Sequence, residues 1–463
     1  MRRTICESRT ARLPAVRLFT TRALIPVVTA LTLIACGGGG DSNDTASLDA
    51  ERKTAQKQSI DVHPGNPNPV STWHEVAINT INVPSSPSGA TPEERVGGPD
   101  IATVQIAVYD AAMAIAGSHR PFFVTPRTPP AGASMEAAIN EAAYRVLKGL
   151  FPSRGAVYEA AYTSGLAAIA DGDAKSRGMA LGAEVAAGVL AQRANDGRLG
   201  VLALPAYVHG TAPGEFRGLN TAVDPVGRQN PLIRPFALVS VDQFRPEPPP
   251  ALTSELYARD LNETKAIGGE VSSVRTAEQL DIARFHTDSP AVGQYRNQRR
   301  FATANANLAD NARVLAILSV VTADAGLGCF EAKYHYNYWR PQFAIPQADA
   351  DDNPATDADP LWKPAVTTPN HPEYPSGHGC GTGATVEALR EFYGTKKISF
   401  IWDTAVATVV EKTRHYESTD ELIREVIEAR VHGGMHFRSA NDAGAHLGRK
   451  TAQWVMRHHF QPK

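Results

Sequence analysis

Apolar residues recur every three to four positions through most of the chain, which is the spacing of amphipathic helices. Alternating runs bounded by turn pairs, the pattern of strands, are nearly absent. The helices predicted from this spacing cover residues 100–116, 134–150, 156–170, 176–193, 253–267, 305–339, 379–393, 399–413, 420–431 and 440–458. The pattern therefore predicts an all-α bundle with two long irregular connections, 197–252 and 342–375.

The N-terminus has the features of an export signal. Residues 1–35 contain six arginines and one acid, and an apolar run ends at Ala35. The segment Leu33-Ile34-Ala35-Cys36 resembles the lipobox of bacterial lipoproteins, which implies lipid on Cys36; an ordinary secretory signal with an incidental cysteine is the alternative. We therefore predict a signal peptide over 1–35, a flexible tether over 36–70 and an exported protein, periplasmic or anchored to the outer membrane by its lipid.

The predicted mature chain is mildly acidic and has two further cysteines. Residues after position 35 include 40 Lys and Arg against 47 Asp and Glu, which gives no general electrostatic reason to bind nucleic acid. In an oxidising compartment Cys329 and Cys380 form a candidate disulfide, although two separately buried thiols would fit the sequence equally well.

The first candidate functional segment contains two cations. Lys333 and Arg340 are seven residues apart, so on one helix both would project from the same face. Pro341 disfavours helical geometry at the residue before it and places Arg340 at a helix end. Two such cations repel unless an anion lies between them, but a solvated helix edge would explain the pair as well.

The second segment leads into a predicted helix. In Ser376-Gly377-His378 the backbone N–H groups at the helix start are free to bind an oxyanion, and Ser376 adds a hydroxyl donor. His378 could transfer a proton to or from the bound group. An ordinary N-cap at Ser376 is the alternative.

The third segment closes another predicted helix at Arg430 and turns at Gly433-Gly434. His436 follows Arg430 by six residues, so both side chains can face one pocket. Together the three segments supply cations, donors and two histidines, which predicts an oxyanion site with a proton donor and a nucleophile or metal ligand.

The combination Lys-x6-Arg-Pro, Pro-Ser-Gly-His and Arg-x5-His resembles the shared motif of vanadium-dependent haloperoxidases and type 2 phosphatidic-acid-phosphatase-like enzymes. The resemblance extends from about Trp73 to the C-terminus and is closest to the large bacterial haloperoxidase-like members. It implies one helical catalytic domain over 71–463, with an N-terminal half, 71–250, and a motif-bearing half, 251–463.

As a haloperoxidase, the protein would bind vanadate and use hydrogen peroxide to oxidise a halide to hypohalous acid, which then reacts with an organic acceptor. The resemblance implies that His436 bonds vanadium and that His378 acts as the acid/base. It also implies which groups neutralise the vanadate oxygens: Lys333, Arg340, Ser376, the Gly377 N–H and Arg430. Bromide-oxidising relatives carry histidine at the position of His371, which favours bromide or iodide, although His371 would also suit a structural turn.

As a phosphatase, the protein would hydrolyse a phosphate ester without a cofactor. His436 would attack phosphorus and form a phosphohistidine, and His378 would protonate the leaving oxygen. Many of these phosphatases carry an acid four residues after the nucleophilic histidine, where this chain has Ala440. That departure favours the haloperoxidase. A non-catalytic, anion-binding lipoprotein is a third hypothesis.

Overall fold

The computed structural model describes residues 59–82, 97–198, 204–288 and 290–463, which are mostly helical, so the all-α prediction is confirmed. The predicted signal peptide and Cys36 lie outside these residues. The described α-helices are α1 (Pro69–Ile81), α2 (Gly98–Ala116), α3 (Met135–Leu150), α4 (Gly155–Ala167), α5 (Asp173–Arg193), α6 (Glu255–Ile267), α7 (Ala277–Phe285), α8 (Tyr295–Gln298), α9 (Leu308–Tyr336), α10 (Pro341–Ala344), α11 (Gly377–Tyr393), α12 (Thr419–His432) and α13 (Arg438–His458).

The predicted helix over 399–413 is wrong. A three-stranded sheet occupies this region, in the order β1 (Ile60–Asp61), β2 (Ile398–Asp403), β3 (Thr413–Tyr416), with β1 parallel and β3 antiparallel to β2. Burial alternates along β2, where Ile398, Phe400 and Trp402 are buried and the residues between them are partly exposed. Aromatic and β-branched residues suit this half-buried surface, and a short apolar run fits the period of a strand as well as that of a helix.

The predicted tether also ends too late. Residues 36–58 lie outside the described part of the chain, but β1 pairs with β2, and α1 begins at Pro69 behind the N-cap Asn68. The Asn68 side chain accepts a hydrogen bond from the Ser71 N–H at 3.1 Å, and the Ser71 hydroxyl accepts one from the Asn68 N–H. This reciprocal cap fixes the start of the helical domain before residue 71.

Helix α9 runs through the centre of the domain and leads directly to the first candidate motif. It packs against α2, whose residues from Pro99 to Met113 are all buried. Within the described residues, α9 is the one helix long and apolar enough to cross a membrane, and 83% of its most apolar window is buried inside the protein. Such burial is what a core helix shows.

Glycines bring α11 and α13 into direct backbone contact. A Cβ atom on Gly383 would lie 2.5 Å from the Ala445 carbonyl oxygen, and one on Gly448 would lie 2.1 Å from the Cys380 carbonyl oxygen. Gly379 in α11 and Gly444 in α13 also leave no room for a Cβ atom against the facing backbone. The second motif lies at the start of α11 and the third motif ends just before α13, so this contact sets the distance between those motifs.

We expect Gly448→Ala to destabilise the protein by about 1–3 kcal/mol, because the new methyl group has to push the two backbones apart. The matched control is Gly326→Ala in α9, where an added Cβ meets no atom within 4 Å. The control should gain about 0.5–1 kcal/mol, because alanine loses less entropy than glycine in a helix. Urea unfolding of both variants checks this, and equal free energies of unfolding would contradict the close contact.

A disulfide joins the two helices that flank the first two motifs. Cys329 in α9 and Cys380 in α11 are bonded, with their Cα atoms 6.3 Å apart. Lys333 lies one turn after Cys329, and Ser376 lies one turn before Cys380. The bond therefore ties the first motif to the second.

Candidate active site

The first motif spans a helix end rather than one helix face. Helix α9 stops at Tyr336, and Asn337 takes the left-handed conformation with φ 49°. Arg340 is then the N-cap of α10, with Pro341 in the first turn. The expectation that Lys333 and Arg340 project from a single helix is thus wrong; the left-handed turn at Asn337 brings the chain back so that both cations are buried in one site.

The second motif begins α11 as expected. Ser376 is its N-cap, and its side-chain oxygen accepts a hydrogen bond from the Gly379 N–H at 3.4 Å. Gly377 begins the helix, and a Cβ atom there would lie 3.9 Å from Cε of Lys333. The free donors of the helix N-terminus therefore lie beside a buried cation, an arrangement suited to an anion.

The third motif is held by a tight turn after α12. Arg430 lies in the last turn of α12, and its carbonyl oxygen accepts hydrogen bonds from the backbone N–H groups of Met435 and His436. Gly434 has φ 71°, and a Cβ there would lie 2.3 Å from the Gly268 carbonyl oxygen, so only glycine fits. The turn places the His436 ring against the first motif.

His436 is buried between a cation and a carboxylate. Nη1 of Arg340 lies 3.0 Å from its Nε2, and Oε1 of Glu373 lies 3.0 Å from its Nδ1. The same Glu373 oxygen accepts a hydrogen bond from the Phe437 N–H at 3.0 Å. These partners assign the proton to Nδ1 and leave the lone pair of Nε2 facing the cations, which is the tautomer that a metal ligand or nucleophile requires.

Glu373 was missed by the sequence analysis. The resemblance implies an acid four residues after His436, whereas Glu373 lies 63 residues before it and three residues before Ser376. The sequence does contain one signal for Glu373. It is an acid next to a motif, in the apolar context Pro372-Glu373-Tyr374. Its backbone carbonyl and that of Pro372 also accept hydrogen bonds from Nζ of Lys333, at 3.0 and 2.8 Å.

His371 also contacts the first motif. Nη2 of Arg340 lies 3.0 Å from Nδ1 of His371, and Nε of Arg340 donates to the His371 carbonyl oxygen at 2.9 Å. The imidazole ring packs near Phe330, with their ring centroids 5.2 Å apart. His371 is therefore part of the site and lies on its apolar side.

The site has an excess of buried positive charge. Lys333, Arg340 and Arg430 are at most 1% exposed, and Glu373 is the carboxylate buried with them. Burial lowers the pKa of Arg340 to about 10, and burial together with Arg340 lowers that of Arg430 to about 9. Burial, with the neighbouring cations, also holds the pKa of Lys333 well below its usual value. A bound anion would stabilise all three charged forms.

Two buried polar atoms point to the same conclusion. Among the described residues, Nε of Arg430 and Nε2 of His378 are buried without a hydrogen-bond partner. Buried polar atoms are normally satisfied, so a ligand oxygen that accepts from Nε of Arg430 and pairs with His378 fits this set. The residues present therefore suit a tetrahedral or trigonal-bipyramidal oxyanion such as phosphate or vanadate.

A second residue missed from the sequence supports the third motif. The His286 carbonyl oxygen accepts a hydrogen bond from Nη1 of Arg430 at 3.0 Å, and Nε2 of His286 lies 2.9 Å from Oε1 of Glu425. A cavity of about 30 Å³ is lined by both His286 and His378. No spacing rule connects His286 to Arg430, because the contact runs through the backbone of a distant loop.

All seven side chains predicted for the site are brought together with Gly377. One cavity of about 480 Å³ is lined by five of these residues: His371, Gly377, His378, Arg430 and His436. The other three lie directly behind its wall: Lys333, Arg340 and Ser376. Their common location defines one buried candidate site for an oxyanion in the helical domain.

Comparison with known proteins finds relatives of the part of the chain that carries this site. Residues 313–462 match the model of the VCPO second helical-bundle domain. The chain is 26% identical over 188 residues to the vanadium chloroperoxidase of Curvularia inaequalis, an alignment that covers 31% of this chain and 30% of that protein.

Two solved structures share the fold over nearly their whole length. A bacterial vanadium-dependent iodoperoxidase superposes with a TM-score of 0.66 and 24% identity over 85% of this chain and 96% of the other. A bacterial vanadium-dependent chloroperoxidase in its holo form gives a TM-score of 0.64 and 16% identity over 86% and 98%. Residues 313–462 therefore resemble the second helical-bundle domain of a vanadium chloroperoxidase, and the chain shares the fold of these two bacterial enzymes.

Proposed function

We propose that this protein is a vanadate-dependent haloperoxidase that uses hydrogen peroxide to oxidise a halide to hypohalous acid. The observation that carries the proposal is His436, buried among three cations with its Nδ1 held by Glu373 and its Nε2 facing Arg340. The match of residues 313–462 to the VCPO second helical-bundle domain and the partial similarity to a vanadium chloroperoxidase support the same chemistry.

The residues divide into a ligand, counter-charges and a proton carrier. His436 would bond vanadium through Nε2, while Lys333, Arg340 and Arg430 would offset the charge of the oxygens. Ser376 and the Gly377 N–H would add hydrogen bonds. When bound, vanadate supplies a Lewis acid that makes peroxide electrophilic toward halide.

His378 is placed to move the proton. It lines the same cavity as His436, and its Nε2 is buried without a partner among the described residues. Burial and the nearby Arg430 hold the pKa of His378 well below its usual value. A neutral imidazole can accept a proton from peroxide, and the protonated form can return it to the leaving oxygen.

We propose bromide or iodide rather than chloride as the halide. The resemblance supports this, because bromide-oxidising relatives carry histidine at the position of His371, which contacts Arg340 in this site. We also propose that the protein is exported as a lipoprotein modified at Cys36, on the sequence pattern described above.

Hydrolysis of phosphate esters is the second candidate. The Glu373–His436 pair favours it, because a carboxylate at Nδ1 is what orients and activates a nucleophilic histidine. The absence of an acid at position 440 is therefore not an argument against a phosphohistidine, since Glu373 supplies one from elsewhere in the chain.

One set of assays separates these candidates. Purified protein is tested for bromination of monochlorodimedone with peroxide, with and without added orthovanadate, and for hydrolysis of p-nitrophenyl phosphate. Vanadate-dependent bromination supports the proposal. Hydrolysis that vanadate inhibits supports the phosphatase, and oxyanion binding without either activity supports a non-catalytic anion-binding protein.

A further inference from the structure

The cavity beside the oxyanion site is much larger than peroxide or a halide ion requires. Its volume of about 480 Å³ lies within the range of roughly 300–1,000 Å³ typical of sites for organic ligands. We call this cavity the chamber. One side of it is formed by the site residues His378, Arg430 and His436.

Most of the remaining wall is apolar. Helix α9 contributes Ala323, Leu327 and Phe330, which recur at helical spacing on the face that leads to Lys333. Met435 adds a thioether next to His436. Arg430 is the one lysine or arginine among the described residues that line the chamber. The chamber therefore offers apolar contact rather than further anion binding.

Gly326 leaves part of the α9 wall open. It lies between Ala323 and Phe330 on the same face, and a Cβ atom added there would meet no atom within 4 Å. Glycine weakens a helix interior relative to alanine, and no close packing partner requires it here. The open space at Gly326 is therefore part of the volume that a ligand would fill.

Another part of the wall comes from the irregular connection after residue 204. Its Val226 and Gly227 line the chamber, and a Cβ on Gly227 would lie 2.3 Å from the Phe330 ring. Asp324 in α9 anchors this connection by accepting hydrogen bonds from three consecutive N–H groups, those of residues 236–238. The wall is thus fixed to the same helix that carries Gly326.

We propose that the chamber binds an uncharged, largely apolar organic acceptor of about two aromatic rings and holds it next to the site where hypohalous acid forms. The inference rests on the proposed function. Hypohalous acid would transfer its halogen to the bound carbon: a C–H bond breaks, a C–halogen bond forms, and the proton leaves with the hydroxide as water. The carbon loses two electrons, and the halogen gains them.

The test uses 2-naphthol, an uncharged two-ring phenol, as the probe. Binding is measured by calorimetry on the full-length protein without vanadate, peroxide or halide, so that it does not depend on turnover. We expect saturable one-to-one binding that Gly326→Phe weakens at least tenfold. Gly155→Phe is the matched control, because it also adds a ring at an open helical glycine but lies outside the chamber.

Gly326→Leu is the second variant, in case Gly326→Phe does not fold, and it should weaken binding in the same direction. The rate of 2-naphthol bromination is then divided by the rate of triiodide formation from iodide, and this ratio should fall in the Gly326 variants. Absent naphthol binding, or equal binding in all variants, would overturn the inference. Naphthol binding without any halide oxidation would instead refute the proposed function and leave the chamber as a ligand site.

Discussion

His436→Ala is expected to reduce halogenation to the level of a reaction without protein. The substitution removes the proposed bond to vanadium, and it leaves Glu373 and Arg340 without the ring that lies between them. Orthovanadate binding, measured by calorimetry, should fall together with the activity. Under the phosphatase alternative, the same change would remove the nucleophile and abolish hydrolysis of p-nitrophenyl phosphate.

The matched control is His446→Ala, which removes an exposed histidine from the next helix, α13. It should keep wild-type halogenation and vanadate affinity. If His436→Ala turned over as fast as this control, the whole assignment of the site would be wrong.

Glu373→Ala is expected to destabilise the protein by about 3–5 kcal/mol, the usual cost of removing one partner from a buried charged cluster. Three buried cations would lose the carboxylate among them, and the Phe437 N–H would lose its acceptor. An added oxyanion replaces part of the missing negative charge. Orthophosphate should therefore raise the melting temperature of Glu373→Ala more than that of the wild type.

Glu373→Gln separates the two contributions. Its side-chain oxygen can still accept hydrogen bonds from the Phe437 N–H and the His436 Nδ1–H, but the charge is gone. Burial raises the pKa of Glu373 to about 7, while Arg340 and Lys333 favour the ionised form. An intermediate loss of stability is expected. A wild-type melting temperature for both variants, with no added effect of phosphate, would show that Glu373 does not balance the cations.

The local chemistry of the site could be predicted from the sequence because it lies in three short segments with fixed spacing. Lys333, Ser376 and Arg430 each lie at a helix end, and the helix pattern with its glycines and prolines indicates those ends. The shared anion-binding chemistry then required the three segments to meet, and they do.

Contacts between distant segments could not be predicted in this way. The pairing of Glu373 with His436 and that of Arg430 with the His286 backbone depend on how the helices pack, which no single segment encodes. The prediction of a helix over 399–413 was wrong for a different reason. A short run of apolar residues fits either a strand or a helix, and the pairing of β2 with β1 and β3 makes it a strand.

The proposed function requires that the buried cations and His436 hold vanadate for halide oxidation. Its most direct test is a titration of orthovanadate into protein stripped of oxyanions by dialysis against EDTA at low pH, with bromination of monochlorodimedone followed at each concentration. We expect no bromination before vanadate is added and a saturating rise with one site per chain, which is lost in His436→Ala. Bromination that is independent of vanadate, or hydrolysis of p-nitrophenyl phosphate that vanadate inhibits without any bromination, would contradict it.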